Sequence, residues 1–160
     1  METAWDARTF FEAVRAAALD AERVRRQLDE MEATAEPPSG GGLGARVRST
    51  PDPDRIGGRV AAMLDHERRL LERQEEDYRV IDSACALLYG DDCDAGLWAL
   101  VGWRADAIFH HYVALRTWDD AARMVGYSTR YVIEQAGAAL DVATANGAMW
   151  TRLGIGSAVT

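Results

Sequence analysis

The 160-residue chain is 48% hydrophobic and carries a formal net charge of −8, enough for one modest core plus an appendage and too little for two ordinary domains. The acidic balance argues against a general nucleic-acid coat, whose affinity comes from clustered positive charge. No run of about 18 apolar residues is present, and Met1 to Asp6 has no basic stretch leading into an apolar one. We therefore expect a cytoplasmic protein with no membrane partner, in which Cys85 and Cys93 remain thiols. All 18 basic residues are arginine, a bias that fits a GC-rich genome better than a chemical demand.

In chain order, Phe10, Val14, Ala17, Ala21, Val24, Leu28 and Met31 follow at alternating steps of four and three, a heptad seam that predicts a helix within residues 1–33. That seam closes either on a second helix of the same chain or on a second copy, as a homodimer through the N-terminal helices. Residues 34–53 hold all four prolines and a glycine triplet and read as a linker. Asp52 and Pro53 then fit as cap and first residue of a second long helix over 54–89. On it Val60, Leu64, Leu71, Tyr78, Ile81, Cys85 and Leu88 share a face, and it is expected to return antiparallel along the first. The charged stretch Asp65 to Arg79 reads as its solvated side.

Gly90-Asp91-Asp92 ends this helix and Asp94 is placed to cap the next. Leu97 to Val113 is the most apolar stretch, the expected core of a domain over 93–145, with Gly102 marking a kink or a tight helix contact. No period-two alternation occurs. The expected fold is all-α: a long N-terminal helical hairpin, coiled-coil-like, then a small helical domain ending in a helix-turn-helix. Residues 146–160, broken by glycine, read as a C-terminal tail that Trp150 could pin.

Thr117 to Leu140 carry the informative pattern. Thr117 is placed to cap a helix with Asp119 and Asp120 at its positive end, and Ala122 is small where two helices must cross. Gly126 can take the positive φ that reverses the chain. Tyr127 is expected to pack beneath, Ser128 to cap a second helix, and Val132, Ala136, Ala139 and Leu140 to form its inward face.

The string TWDDAARMVGYSTRYV resembles the sigma-factor region-four-like helix-turn-helix of phage transcriptional regulators of the RinA and ArpU kind. The upstream ATAEPPSGGG and DRIGGRVAAMLDHERRL are similar to that family's helix, glycine-rich linker, helix layout. The resemblance implies a protein that binds double-stranded promoter or operator DNA, or cooperates with RNA polymerase, to control a phage or prophage operon. Carried over by position, it implies that the second helix turns Thr129, Arg130, Ile133, Glu134 and Gly137 toward the bases, with Arg116 and Arg123 as phosphate contacts. The chain departs from the family at Glu134, Gln135 and Ala136, where arginine, lysine or histidine is usual. Arg104, Arg116, Arg123, Arg130 and Arg152 balance Asp106, Asp119, Asp120, Glu134 and Asp141, leaving this part of the chain neutral.

Other constellations carry less. Adjacent His110 and His111 point about 100° apart on a helix and are poorly placed to share a metal ion. Asp91, Asp92 and Asp94 lack the closing glutamate of a calcium loop, and the glycine triplet lacks the Gly-Lys-Ser/Thr of a phosphate loop. The five tryptophans read as core or interface residues. No nucleophile is paired with a base, so neither an enzyme, a metal nor a cofactor is expected. The reading from a different class is a non-enzymatic interaction or assembly module, such as a phage packaging adaptor or a polymerase-binding factor, whose acidic surface meets a basic partner.

Overall fold

A computed structural model of the chain describes residues 4–35, 53–91 and 95–154. Every regular element among them is helical: α1 (Ala7–Ala35), α2 (Pro53–Tyr89), α3 (Gly96–Val101), α4 (Trp103–Ile108) running into a π-helical turn (Phe109–Val113), α5 (Trp118–Val125), α6 (Thr129–Ala145) and α7 (Gly147–Arg152). Residues 1–3, the expected linker residues 36–52, residues 92–94 with Cys93, and residues 155–160 lie outside the described residues. None of the described helices is long and apolar enough to cross a membrane.

α1 and α2 form the antiparallel hairpin. Phe10, Val14, Ala21 and Val24 are buried as the heptad predicts, but Ala18 is buried where Ala17 was expected, and Leu28 and Met31 are half-covered toward the tip. The seam therefore closes on its own chain. Midway along, the Arg73 guanidinium donates to both oxygens of Asp20.

On α2 the inward face is displaced from the expected one. Toward the base of the hairpin Leu88 is buried and Ile81 and Cys85 are half-buried as expected, but Leu70 and Ala84 are buried and Gln74 and Asp77 half-buried beside them, whereas Val60, Leu64, Leu71 and Tyr78 are exposed. The cause lies in the doublets Leu70-Leu71 and Leu87-Leu88: a shift of one residue, about 100° of rotation, preserves most of the periodicity. Tertiary contact then selects the phase. At the base of the hairpin Ala84, Leu87 and Leu88 meet Phe10, Phe11 and Val14.

That base shares one continuous core with the C-terminal helices. Leu97, Val101, Ala105, Ile108, Leu140 and Trp150 are buried in the same cluster as Phe11 and Leu87. The expected single apolar segment from Leu97 to Val113 is broken at Gly102, whose φ of 61° ends α3. A Cβ there would meet nothing within 4 Å, so Gly102 serves the bend and not a tight helix contact. Ala95 occupies the N-cap of α3 without a side-chain bond; the expected cap, Asp94, lies outside the described residues.

The expected tail is in part structured. Trp150 is buried in α7 and its Nε1–H donates to the Ala143 carbonyl at 2.9 Å. Gly147 is buried against Trp5, whose ring edge would lie 3.0 Å from an added Cβ. The Ala7 N–H donates to Thr144 Oγ1 at 3.0 Å, so the start of α1 is fastened to the end of α6.

Candidate nucleic-acid interface

α5 and α6 form the helix-turn-helix through local chemistry at each joint. Thr117 sits at the N-cap of α5 in extended geometry, and its Oγ1 accepts from the Asp120 N–H at 3.2 Å. Asp119 and Asp120 lie in the first turn, at the positive end of the helix. Gly126 closes α5 at φ 84°, ψ 27°, a left-handed conformation that glycine adopts without a Cβ penalty. The Gly126 and Tyr127 N–H groups both donate to the Ala122 carbonyl, at 2.9 and 3.2 Å. Ser128 then caps α6, its Oγ accepting from the Tyr131 N–H at 3.4 Å.

The crossing is small and apolar. Ala122 and Val132 pack with Ala107 of α4, closed over by Trp103, Trp118 and Val125. Val132, Ala136, Ala139, Leu140 and Ala143 form the buried face of α6. That face fixes which residues of α6 point outward.

Among the residues expected to read bases, Arg130, Ile133 and Glu134 are exposed. Arg130 has no ion-pair partner among the described residues. Thr129 is half-buried and its hydroxyl donates to Asp119 Oδ1 at 2.8 Å, tying the start of α6 to the start of α5. Gly137 is half-buried beneath Arg8 of α1, whose Nη2 donates to the Gly137 carbonyl at 3.2 Å and to Asp141 Oδ1 at 3.2 Å. The row is thus open from Arg130 to Glu134 and covered at Gly137.

The two expected phosphate contacts differ. Arg116 is exposed and has no ion pair among the described residues. It follows Leu115, a non-glycine residue at φ 59°, and is held by its own backbone: its N–H donates to the His110 carbonyl at 2.9 Å, and its carbonyl meets His111 Nδ1 at 2.9 Å. His111 in turn stacks on Trp118 at 3.9 Å. Burial pushes both His110 and His111 below the ordinary histidine range, and the Arg116 charge adds to the effect on His110. Arg123, by contrast, pairs with Asp120 at 3.1 Å on the surface.

An aromatic cluster borders the row. Tyr127 does not pack beneath the turn as expected; it is exposed and stacks on Trp103 at 4.4 Å, with Tyr131 5.5 Å from Tyr127. The Arg104 guanidinium lies over the Trp103 ring at 5.3 Å and donates through Nε to Gln135 Oε1 at 2.6 Å. The spacing of Tyr127 and Tyr131 gives no signal for this cluster, because Tyr127 precedes the Ser128 N-cap and lies outside α6. No group of three or more metal-ligating side chains is assembled among the described residues. No family model, curated protein or solved structure matches this chain.

Proposed function

We propose that the protein is a phage or prophage-type transcription regulator that inserts α6 into the major groove of promoter DNA. One observation carries this reading: α6 is buried along Val132, Ala136, Ala139 and Leu140 while Arg130, Ile133 and Glu134 stand in solvent at the start of the helix, beyond a capped turn. Recognition helices present their N-terminal residues to base edges in this way. Arg130 offers a bidentate donor to a purine acceptor edge, Ile133 an apolar contact for a thymine methyl, and Glu134 an acceptor for a cytosine amine. Arg116 supplies the nearby cation for phosphate. Cooperation with RNA polymerase at such a promoter belongs to the same proposal.

The test is binding of the full chain to duplexes from the region upstream of its own operon, read by fluorescence anisotropy at low salt against a scrambled duplex. Arg130→Ala is expected to weaken specific binding by roughly 5- to 150-fold, from the ~1–3 kcal/mol that one bidentate base contact supplies. Absence of binding at low salt, or binding indifferent to that substitution, overturns the proposal.

A second reading, an assembly or packaging adaptor, is favoured by the exposed Tyr127 and Tyr131 beside the half-buried Trp103 and by the pairing of Arg123 with Asp120, which removes one free cation from the row. No DNA binding together with a discrete oligomer by light scattering supports it.

A further inference from the structure

The displaced phase of α2 turns a line of large apolar side chains outward. Val60, Leu64, Leu71 and Tyr78 are 50%, 60%, 50% and 46% exposed. Leu64, Leu71 and Tyr78 recur every seven residues, so from Val60 to Tyr78 they keep to one side of the helix for about 27 Å. Toward the base of the hairpin the line enters an open groove of about 260 Å³, lined by Ala18, Ala21, Tyr78, Ile81 and Val113 among others and also by the charged Glu22 and Arg25. A sustained heptad line differs from singly scattered surface hydrophobics, which need no explanation.

The residues flanking the line select the occupant. Val60 and Glu67, with Gln74 and Ile81 half-buried at the edge of the contact with α1, lie along one flank, and Arg68 and Glu75 along the other. A two-fold axis through Leu71 generates an antiparallel copy in which each flank faces itself. Leu71 then meets Leu71 of the copy, and Leu64 meets Tyr78. Val60 arrives beside Ile81 at the mouth of the groove, and Glu67 faces Gln74. Arg68 and Glu75 come within about 1.5 Å of the same height along the helix axis. Apolar residues meet apolar ones and the cation meets an anion. A parallel, in-register pairing instead sets Glu67 against Glu67.

We propose that this line is a self-association face, covered by the same line of a second copy running antiparallel about Leu71. The present partners of Arg68 and Glu75, namely Asp65, Glu72 and Arg79, form only exposed ion pairs along the same helix, so exchanging or sharing them costs little. No residue of α6 takes part, and the proposal stands or falls independently of the DNA reading.

Sedimentation equilibrium of the full chain, from micromolar to sub-millimolar concentration, is expected to show a dimer. Leu71→Asp, at an exposed position, should give a monomer with unchanged helical circular dichroism. Arg68→Glu and Glu75→Arg should each weaken the dimer by about tenfold, and the double swap R68E/E75R should restore it, since the coupling is between these two residues. A wild-type chain that stays monomeric overturns the proposal and leaves the face to a different protein. A dimer that survives Leu71→Asp places the contact elsewhere, and a double swap no better than either single change rules out the antiparallel arrangement.

Discussion

Replacing Asp77 by asparagine should change how stability depends on pH, with a sign fixed by the surroundings of the carboxyl. Asp77 lies on the inward side of α2 with its Oδ2 buried and without a donor. It faces Asp20 of α1, with Arg73 and Glu76 beside it on its own helix. Burial first, and the Asp20 carboxylate second, push Asp77 up to about 6 from its ordinary 3.8. Asp20, held by Arg73, is shifted the other way, below its ordinary value. A folded-state value above the unfolded one means that the native protein binds the proton more tightly. The stabilisation from Asp77 is therefore fully present below about pH 4 and is lost as pH rises through about 6.

A shift of this size is worth at most ~3 kcal/mol at 1.36 kcal/mol per pH unit. Because Asp77 is only half-buried, solvent screening reduces the expected effect to ~1 kcal/mol. Asp77→Asn, isosteric and uncharged, should then be more stable than the parent at pH 8 by about this amount, a rise of roughly 2–4 °C in Tm for a chain of this size. The difference between the two should vanish or reverse near pH 5. His110 and His111, pushed down by burial, contribute the opposite slope near pH 6, so the diagnostic quantity is the difference between the two proteins' thermal melts and not either curve alone. Parallel melting profiles from pH 5 to 8 would refute the reasoning, as would a variant less stable at pH 8.

Three further substitutions probe the scaffold by thermal denaturation. Trp150→Ala removes a fully buried ring and its bond to Ala143 and should destabilise by ~3–5 kcal/mol; a loss below about 1 kcal/mol would mean that α7 is not part of the core. Gly126→Ala adds a Cβ that meets nothing within 4 Å but must hold φ at +84°, so a loss of about 1 kcal/mol from backbone strain alone is expected. Gly96→Ala combines a φ of +64° with a Cβ that would lie 2.5 Å from the Leu87 carbonyl and should cost more than about 2 kcal/mol. Equal effects at Gly126 and Gly96 would show that the close approach of α3 to α2 is relieved at little cost.

What the sequence reveals about this chain is divided by the range of the interactions. The joints of the helix-turn-helix are legible because Thr117, Gly126 and Ser128 each act on groups within five residues: a hydroxyl onto an amide, a missing Cβ, a second hydroxyl. The all-helical hairpin is legible from heptad periodicity. The rotation of α2 is not, because Leu70 and Leu71 are equally apolar and only contacts with α1 distinguish them. The covering of Gly137 is hidden for a related reason, since Arg8 is 129 residues away in the chain. α7 is hidden as well: Gly147 reads as a helix breaker until Trp5 is seen to occupy the space that a side chain would fill.

The fastening of α1 to α6 has a mechanical consequence. Ala7, Phe10 and Phe11 share a core with Ala136, Leu140 and Ala143, while the remainder of α1, about 36 Å long, runs on beside α2. Because these side chains interlock in one core and the Ala7 N–H is bonded to Thr144, a displacement of α1 at this end has to be shared with α6.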